Sequence, residues 1–560
     1  MNNNQNPSQE IVNHLKTLLN SRKFSDAYEK AETIIKQYPK SFILWNILGV
    51  SLYELKKFDD AIKSYEKAVS FNSKYAHAYI NLGVVLRDQG KLDAAINFSK
   101  KAVLSEPHNP LAYNNLGALF TEQRKFDEAI GVYKKALSIQ PNYVQAYNNL
   151  GVALRELGKN EEAIRAYKKA ISLQEDYAEP YNNLGAVLRD LGNLEEALDA
   201  CKKSILIEEN YVEAYNNLGV IFRDKGNFDE AIKACEKAIS LKADYAEAYF
   251  ALSFTYNLKG DLQKGLQLYE WRLKKDRFTA RIPRGHLIWD GKESLLDKKF
   301  FVYEEQGLGD VIQFCRYLPL LKQKGAKVIF KVKPKMHALL KTLDKNIILV
   351  DNDPDENSID FEAPLMSLPY LFNTNLDSIP SMTSYLSGDY NRIISWKKHL
   401  AKDIFKVGIC WQGSKTKIDF GRSFPLTLFE DISKLPNVEL ISLHKGEGEK
   451  QIEDINFDLT VLGYDFDNGE DAFIDTAAVM ANCDLIITSD TAIAHLAGSL
   501  GCRTWVVLKK IPDWRWMLDR NDSPWYPKMK LYRQKKHDNW EEVFETIKKD
   551  LQSLIKLNEN

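Results

Sequence analysis

The chain lacks the features that mark membrane, secreted and nucleic-acid-binding proteins. No apolar run approaches the roughly 20 residues that span a bilayer, and the opening residues, MNNNQNPSQE, contain no cationic and apolar leader. The 560 residues carry a formal net charge of −1, so no basic excess predicts a nucleic-acid or membrane surface. We therefore expect a cytoplasmic protein with no membrane span and no nucleic-acid partner.

Cysteine is also scarce. The six cysteines lie far apart, without CxxC pairs or histidine-rich neighbours. This spacing argues against a disulfide framework and against a zinc site. We expect no metal and no bound cofactor.

What the first half does contain is a repeat of 34 residues. Small residues at fixed positions let two antiparallel helices approach closely, while large residues a turn away fill the gaps. The period predicts helix pairs over residues 10–279, after a disordered segment over residues 1–9. The tetrapeptide Asn-Asn-Leu-Gly begins at Asn114, Asn148, Asn182 and Asn216, and the glycine ladder runs through Gly49, Gly83, Gly117, Gly151, Gly185 and Gly219.

These ladders resemble those of tetratricopeptide repeats, with about eight copies in succession. The end copies depart from the pattern: Leu15 replaces glycine in the first, and Ser253 and Arg272 replace small residues in the last. Degenerate end repeats are typical of capping and docking positions. Cys201 and Cys235 stand where other repeats carry tyrosine, so we interpret them as core fillers.

The residue before the Leu-Gly pair is asparagine in five successive repeats. By resemblance to tetratricopeptide proteins this position faces a concave groove, and the row is similar to that of eukaryotic O-linked N-acetylglucosamine transferase. An amide both donates and accepts, so such a row can hold the backbone of an extended peptide. The alternative is that these side chains bond neighbouring repeats and bind nothing. The predicted groove residues are Asn81, Asn115, Asn149, Asn183 and Asn217.

The second half alternates short apolar runs with helical segments, which indicates βαβ units. We predict a docking linker over residues 280–297, a first lobe over 298–400 and a second lobe over 401–556. A turn-rich span around Pro364, Pro369 and Pro380 lies between the two sets of strands. Two Rossmann-like lobes bind ligands in a cleft beyond the carboxyl ends of their strands.

Two loops carry the candidate chemistry. In the first lobe, Gly307 and Gly309 lie where a strand leads into a helix, and Asp310 lies at the start of that helix. In the second lobe, Ser489-Asp490-Thr491 leads into a helix whose first N–H groups can receive a diphosphate without a metal, with Ser489 or Asp490 as its cap. Near that loop, Gly413 and Ser414 follow a strand, and Arg422 offers a bidentate phosphate clamp.

Gln-Gly-Leu-Gly-Asp and Ser-Asp-Thr-Ala-Ile-Ala-His-Leu-Ala-Gly together resemble the paired motifs of the ADP-heptose:lipopolysaccharide heptosyltransferase superfamily, the family 9 glycosyltransferases. Three tryptophan-containing segments, at 269–272, 512–516 and 523–527, resemble its bacterial branch with tetratricopeptide repeats. The fold class that this implies is an all-α tetratricopeptide solenoid followed by an α/β GT-B domain with two Rossmann-like lobes.

The resemblance also implies roles for individual residues. Asp310 would be the general base, and Arg422 would offset the charge of the leaving diphosphate. Asp490, Thr491 and His495 would contact the donor phosphates, although a lone histidine at His495 equally fits a packed structural residue. An aspartate at a helix start, such as Asp310, is also commonly a cap. Ala492 and Arg422 stand where the family usually has glycine and lysine, which leaves the donor open.

Other candidate features are weaker. Asp351-Asn352-Asp353 has the spacing of a metal-binding motif, but we interpret this acidic segment as a solvated turn. The run Lys445–Glu449 follows a strand and either borders a nucleotide base or ribose or forms a plain surface loop. Trp514, Trp516 and Trp525 fit a stacking wall or, more commonly, a domain seam.

Three hypotheses stay open. The first is a glycosyltransferase that moves a sugar from a nucleotide-diphosphate sugar to a protein or peptide held in the repeat groove. The second is a non-catalytic scaffold with a degenerate transferase-like docking domain. The third keeps the enzyme but replaces the acceptor with a glycan or a lipid-linked sugar.

Overall fold

The computed structural model describes residues 6–275, 287–413, 421–536 and 539–559. The chain divides into two compact units, Met1–Ala214 and Tyr215–Asn560, which are described separately. No helix of the described residues is long and apolar enough to cross a membrane.

The described part of the first unit consists of paired helices. The Ser41 hydroxyl donates to Asn6 Oδ1 at 2.7 Å, and the Ser8 hydroxyl accepts from the Ile11 N–H at the start of the first helix. The helices are α1 (Gln9–Asn20), α2 (Phe24–Ile35), α3 (Phe42–Glu54), α4 (Phe58–Phe71), α5 (Ala76–Asp88), α6 (Leu92–Ser105), α7 (Pro110–Glu122), α8 (Phe126–Ile139), α9 (Val144–Glu156), α10 (Asn160–Leu173), α11 (Ala178–Asp190) and α12 (Leu194–Ile207).

The glycine ladder sets the distance between the two helices of a pair. A Cβ added at Gly151 would lie 2.5 Å from the Tyr167 ring, so the tyrosine occupies the space that glycine leaves. The Cys201 sulfur fills the same space beside Gly185, also 2.5 Å from an added Cβ, and Cys201 is fully buried. Burial raises the pKa of the Cys201 thiol to about 12. The interpretation of Cys201 as a core filler is therefore confirmed.

The boundary between the units falls within the helix Val212–Lys225, and the second unit contains the repeat helices that follow. A short 3-10 helix, Glu270–Lys274, follows them and contains the degenerate position Arg272. The helices are α13 (Val212–Lys225), α14 (Phe228–Leu241), α15 (Ala246–Leu258) and α16 (Leu262–Tyr269).

The first sheet has four parallel strands in the order β3-β2-β1-β4. The predicted turn around Pro364 is wrong, because this proline ends β4, an edge strand whose pairing with β1 tolerates proline. The strands are β1 (Lys299–Tyr303), β2 (Lys327–Lys331), β3 (Ile348–Val350) and β4 (Phe361–Pro364). The helices of this lobe are α17 (Leu308–Phe314), α18 (Leu318–Gln323), α19 (His337–Leu340) and α20 (Leu368–Leu371). The next helix, α21 (Tyr390–Lys397), contacts the second lobe instead, since Arg392 and Trp396 donate to Asp475 Oδ1 at 2.7 and 2.8 Å.

The second sheet has five parallel strands in the order β6-β5-β7-β8-β9. Its outer strand β9 was not predicted from the sequence. The strands are β5 (Phe405–Cys410), β6 (Val438–Ser442), β7 (Leu485–Ser489), β8 (Thr504–Leu508) and β9 (Met529–Arg533). The helices are α22 (Glu430–Ser433), α23 (Ile474–Met480), α24 (Ala492–Ser499) and α25 (Glu541–Glu559).

One apolar core runs through much of the second unit. It joins Leu266 of α16, Phe314 of α17 and Leu496 of α24. Within the stretch predicted as a linker, Trp289 and Leu295 are buried in this same core, while residues 280–286 lie outside the described residues. Residues 287–297 thus pack as part of the first lobe.

Candidate functional site

The two loops singled out in the sequence meet in the structure. Gly309 of α17 packs against the first turn of α24. A Cβ at Gly309 would lie 3.3 Å from the Ala492 Cα and 3.1 Å from the His495 Cδ2. The missing side chain of Gly309 therefore allows the two helices, one from each lobe, to approach closely.

Asp310 is engaged on both carboxylate oxygens. Its Oδ2 accepts the Gly307 N–H at 2.9 Å, and its Oδ1 accepts from Arg515 Nη2 at 2.5 Å. Burial raises the pKa of Asp310, with Arg515 and the Gly307 N–H opposing the rise. The carboxylate is thus both a helix cap and one partner of an ion pair.

Arg515 and Asp513 belong to the site although the sequence reasoning assigned them no role. Arg515 Nη1 donates to Asp513 Oδ1 at 2.8 Å, and only 9% of the Arg515 side chain is exposed. Both residues follow β8, which is the neighbour of β7 in a parallel sheet. The rule that ligands bind beyond the carboxyl ends of adjacent strands was the signal that could have found them.

The N-terminus of α24 has no side-chain cap. Thr491 is the capping residue by position, but its hydroxyl turns back toward the Ser489 carbonyl at 3.4 Å. The prediction that Ser489 or Asp490 caps this helix is wrong, since Ser489 is the fully buried last residue of β7. The first N–H groups of α24 are therefore left for another acceptor, the arrangement that favours an anion.

Asp490 lies among charged groups at this helix start. Burial raises the pKa of Asp490 to about 6, with Asp513 adding to the rise and Trp516, Arg422 and Arg515 opposing it. Two guanidinium groups and two other acids thus share the cleft with Asp310.

Arg422 lies against a residue that has no side chain. The Arg422 Nη2 would be 2.7 Å from a Cβ added at Gly413, so glycine makes room for the guanidinium. The Gly413 N–H donates to the Ser423 hydroxyl at 3.2 Å. Ser414, which the sequence placed in the same loop, lies outside the described residues.

Several buried hydrogen-bond donors at this edge of the sheet have no partner among the described residues, and three of them lie at or after the ends of β5, β7 and β8. These three are Gln412 Nε2 after β5, Ser489 Oγ at the end of β7 and Arg515 Nε after β8. Because β5, β7 and β8 are parallel neighbours, their carboxyl ends share one edge. Buried donors are normally paired, so three orphans beside an uncapped helix indicate a site built for acceptor atoms.

His495 is a packed residue. It is 6% exposed, its Nδ1 lies 3.0 Å from the Tyr526 hydroxyl, and its ring stacks on Trp516 with centroids 5.2 Å apart. Burial, with Arg515 and Arg316 adding to the effect, lowers the pKa of His495 well below its usual value. A neutral, enclosed ring fits the structural alternative better than a contact to phosphate.

The degenerate last repeat holds the Gly307–Asp310 loop through Arg272. Arg272 Nε and Nη2 donate to the two oxygens of Glu305 at 2.9 and 2.7 Å, and its Nη1 donates to Glu270 at 2.6 Å. Arg272 is 2% exposed and the Glu305 side chain is fully buried. Gln306 adds a bond from its amide to the Tyr269 hydroxyl at 2.8 Å. The docking role expected for this position is thus carried by a buried ion-pair network.

A cavity of about 400 Å³ lies beyond the carboxyl end of β6. Its wall combines apolar and polar side chains, and Tyr464 in it is 84% exposed. The predicted Lys445–Glu449 run contributes to this wall, with the Lys445 ammonium donating to the Phe466 carbonyl. Residues around the cavity include Ser442, His444, Lys445, Ile452, Tyr464 and Phe466.

The groove asparagines of the first unit bond across repeats. Asn81, Asn149 and Asn183 each donate through Nδ2 to an asparagine in the preceding repeat. The acceptors are Asn46 at 2.9 Å, Asn114 at 3.1 Å and Asn148 at 3.0 Å. In two of these bonds the paired asparagines of Asn-Asn-Leu-Gly serve as donor and acceptor, and the neighbour-bonding alternative holds at all three positions.

Asn115 differs from the other groove asparagines. The residue that would accept its amide, by the spacing of the other pairs, is Ile80. Within the described residues no hydrogen-bond partner of the Asn115 side chain is found, and the residue is half-buried. Asn217 lies in the second unit and is also half-buried.

Within the described ranges, no group of three or more His, Cys, Asp or Glu side chains is placed to hold a metal ion. Asp351 and Asp353 instead lie beside basic side chains, His337 at 3.2 Å and Lys331 at 2.6 Å.

Family models match the repeats. Models described as tetratricopeptide repeat match residues 76–109, 109–176, 178–211 and 212–245, and one described as TPR repeat matches residues 49–87. The helix pairs of the N-terminal half are therefore tetratricopeptide repeats, a protein-binding fold.

Among curated proteins, the chain is similar to Protein FlbA of Caulobacter vibrioides. The two are 24% identical over 303 residues, which cover 48% of this chain and 50% of FlbA. The chain thus spans about half the length of this relative.

Among solved structures, MamA is 31% identical with a TM-score of 0.27, and the match covers 30% of this chain and 97% of MamA. YrrB, described as a TPR protein with an unusual peptide-binding site, is 26% identical with a TM-score of 0.28, covering 34% and 98%. The Cut9–Hcn1 hetero-tetramer of APC/C is 18% identical with a TM-score of 0.40, covering 45% and 50%.

Proposed function

We propose that the α/β part is a glycosyltransferase that uses a nucleotide-diphosphate sugar, and that the repeats hold its acceptor, a protein or peptide segment. The observation that carries the proposal is the set of three orphan donors, Gln412 Nε2, Ser489 Oγ and Arg515 Nε, beside the uncapped N-terminus of α24. A diphosphate supplies the acceptor oxygens that such a set lacks.

The reaction assigned to the cleft is the attack of an acceptor hydroxyl on the anomeric carbon of the donor. The new bond joins the acceptor oxygen to that carbon, and the bond from the carbon to the diphosphate oxygen breaks. The diphosphate leaves with the electron pair and is held by Arg422 and the N–H groups of α24, while Asp310 accepts the hydroxyl proton.

The cavity beyond β6 supports a nucleotide as the donor carrier. At about 400 Å³ it falls within the usual size range of small-molecule sites, and its mixture of exposed aromatic, apolar and polar groups suits a base. It lies on the same sheet as the orphan donors, since β6 neighbours β5.

A peptide acceptor is supported by the amide row of the first unit. Asn81, Asn149 and Asn183 each donate one amide N–H to the preceding repeat, and the Asn149 oxygen accepts from Asn148 at 3.5 Å. An amide has a second N–H and a carbonyl oxygen with two lone pairs, so each of the three keeps capacity to bond the backbone of a bound segment. Each such bond contributes about 0.5–1.5 kcal/mol, so affinity depends on several in a row.

The second candidate is a non-catalytic scaffold for protein–protein interaction. The family-model matches given above favour it, because all of them lie between residues 49 and 245. The engagement of both Asp310 oxygens also favours it, since a base must accept a further proton.

Thermal stabilisation by UDP, GDP, ADP and dTDP tests the choice between them. A nucleotide at about 100 times its dissociation constant stabilises the protein by about 2.7 kcal/mol. We expect one of the four to raise the melting temperature of the wild type and to lose that effect in Arg422→Ala. Asp310→Ala should then abolish sugar transfer from the matching donor. If no nucleotide raises the melting temperature of the folded protein at several concentrations, the scaffold becomes the better-supported function.

A further inference from the structure

We propose that Arg515 is a phosphate-binding residue that is ion-paired with Asp310 before the donor binds, and that the donor diphosphate draws it away from that carboxylate. The inference rests on the proposed function and adds an order of events to it. Asp310 becomes available as a base only once the donor is in place.

Arg515 makes one side-chain contact that can remain when the donor binds and one that can be exchanged. Nη1 is bound to Asp513, a close neighbour in sequence, whereas Nη2 reaches across to Asp310 in the other lobe. The guanidinium also lies 4.6 Å from the centre of the Trp514 ring, which limits its motion to a small swing. Asp513 and Trp514 therefore act as a fixed support while Nη2 exchanges one oxygen acceptor for another.

The unused donor of Arg515 indicates what it would bind. Arg515 Nε is buried and has no partner within the described residues. A guanidinium presents its N–H groups as a planar fork that matches the oxygens of a phosphate. A diphosphate carries more negative charge than the single carboxylate of Asp310, so it is the stronger competitor for Nη2.

The contacts of the Asp310 loop place this exchange near the start of α24. A Cβ added at Gly309, the residue before Asp310, would lie 3.3 Å from the Ala492 Cα, and Arg515 Nη2 donates to Asp310 at 2.5 Å. We therefore expect an anion at the α24 N-terminus to meet Arg515, with Arg422 as the second guanidinium of the proposed clamp. Arg422 alone would clamp it in the pattern inferred from the sequence.

The exchange also changes the chemistry of Asp310. Loss of the Arg515 contact leaves its carboxylate, whose side chain is 21% exposed, with the Gly307 N–H as its hydrogen-bond donor. Removing a neighbouring cation makes a carboxylate a better proton acceptor. A hydroxyl is therefore activated when a donor is bound and not before.

Calorimetric titration of the full-length protein with UDP, GDP, ADP and dTDP tests this inference without requiring activity. We expect Asp310→Asn to bind the recognised nucleotide about tenfold more tightly than wild type, the size of one hydrogen bond to a charged group. Arg515→Gln should bind about tenfold more weakly for the same reason. The gain from Asp310→Asn should be lost in the Arg515→Gln background.

The double variant separates the inference from simple charge repulsion. If Asp310 only repels the anion, its replacement tightens binding equally with or without Arg515, and that result overturns the inference. Asp389→Asn is the matched control, because Asp389 caps α21 by accepting the Arg392 N–H at 2.9 Å and should leave the affinity unchanged. Should Arg515→Gln not fold, Arg515→Lys keeps the charge without the fork and is expected to weaken binding and to reduce the gain from Asp310→Asn.

The test also distinguishes failure of the inference from failure of the proposed function. Nucleotide binding that depends on Arg422 but is unaffected by Asp310→Asn overturns only the inference. An absence of binding by all four nucleotides overturns both.

Discussion

The repeats and the α/β cleft satisfy their polar side chains in different ways. In the first unit, amides and charges pair with the next repeat along the chain and remain partly exposed, as in the Arg155–Asp190 contact at 2.5 Å. In the cleft, buried donors are left without partners, and a buried arginine is shared by two glutamates. The first arrangement joins neighbouring repeats, whereas the second leaves the donors that the proposed diphosphate would bind.

The physical reason is the cost of an unpaired buried group. Leaving a buried donor unsatisfied costs about 1–3 kcal/mol, so each orphan donor lowers the stability of the folded protein. Single orphan donors also occur elsewhere among the described residues, as at Ser99 Oγ, but in the cleft they lie at the ends of three neighbouring strands beside an uncapped helix. Four measurements test this contrast between the repeats and the cleft.

The largest expected effect is at the buried network of Arg272. Replacing Arg272 by Met leaves the buried Glu305 without its counter-ion, removes the partner of the partly exposed Glu270, and should destabilise the second unit by about 3–5 kcal/mol. The matched change Arg155→Met breaks a partly exposed pair and should cost no more than about 1 kcal/mol. Urea unfolding of both variants measures the difference. Equal losses would contradict the distinction between the two regions.

A smaller effect is expected inside the repeats. Gly151→Ala puts a Cβ within 2.5 Å of the Tyr167 ring and should cost about 1–3 kcal/mol through overpacking. Gly131, in α8, has no heavy atom within 4 Å of an added Cβ. Gly131→Ala should instead stabilise by about 0.5–1 kcal/mol through helix propensity. Scanning calorimetry reports both, and two changes of the same sign would refute the account of the glycine ladder.

The amide row gives a third comparison. Asn149→Ala removes the bond to Asn114 and should cost about 1 kcal/mol. Asn115, opposite Ile80, has no such bond within the described residues, so Asn115→Ala should change the stability by only a few tenths of a kcal/mol. Hydrogen exchange of the backbone amides in α7 and α9 measures the change in stability for each variant. A peptide ligand, once known, should depend on Asn115 at least as strongly as on Asn149.

The smallest effect is a pH dependence in the cleft. The pKa of Asp490 is raised to about 6 because burial disfavours its charged form, so Asp490 gains a proton as the pH falls from 8 to 5.5. The neutral form repels an anion less, and nucleotide binding should therefore strengthen toward low pH by a fewfold. Asp490→Asn removes this component, which separates it from titration of the nucleotide itself. Identical pH profiles for the two proteins would exclude Asp490 from the anion site.

The raised pKa of Asp490 also determines how the stability of the folded protein depends on pH. A carboxyl whose folded pKa lies above its unfolded pKa near 3.9 binds more protons when folded between those values. The contribution of Asp490 to stability is therefore greatest at low pH and is lost as the pH rises through about 6. Binding of an anion and stability of the cleft change in the same direction.

The sequence predicted the repeats well because each copy repeats one packing rule. Gly151 beside Tyr167 and Gly185 beside Cys201 follow from a 34-residue period that needs no knowledge of distant contacts. Most strands of the α/β part were also predicted, from apolar runs between helical segments. The strands that were missed, β4 and β9, include an edge strand that ends in Pro364 and an outer strand.

The cleft was predicted only in part. The two loops around Asp310 and Asp490 were placed in one site, but Arg515, Asp513 and Gln412 received no role. A residue's burial and its missing partner are not visible in its spacing. The same limit explains the wrong cap at Ser489, because the sequence does not show that this residue is buried as the last residue of β7 or that no side chain caps α24.

The amino-acid sequence by itself determined the repeats and the succession of two parallel α/β lobes. Each helix pair and each strand–helix unit is specified by residues that lie close together along the chain. Only the tertiary structure decided which charges meet. Arg515 contacts Asp310 over a separation of 205 residues, and Arg272 contacts Glu305 over 33. Such pairs depend on how strands and helices from distant segments fold back on one another, which no local pattern specifies.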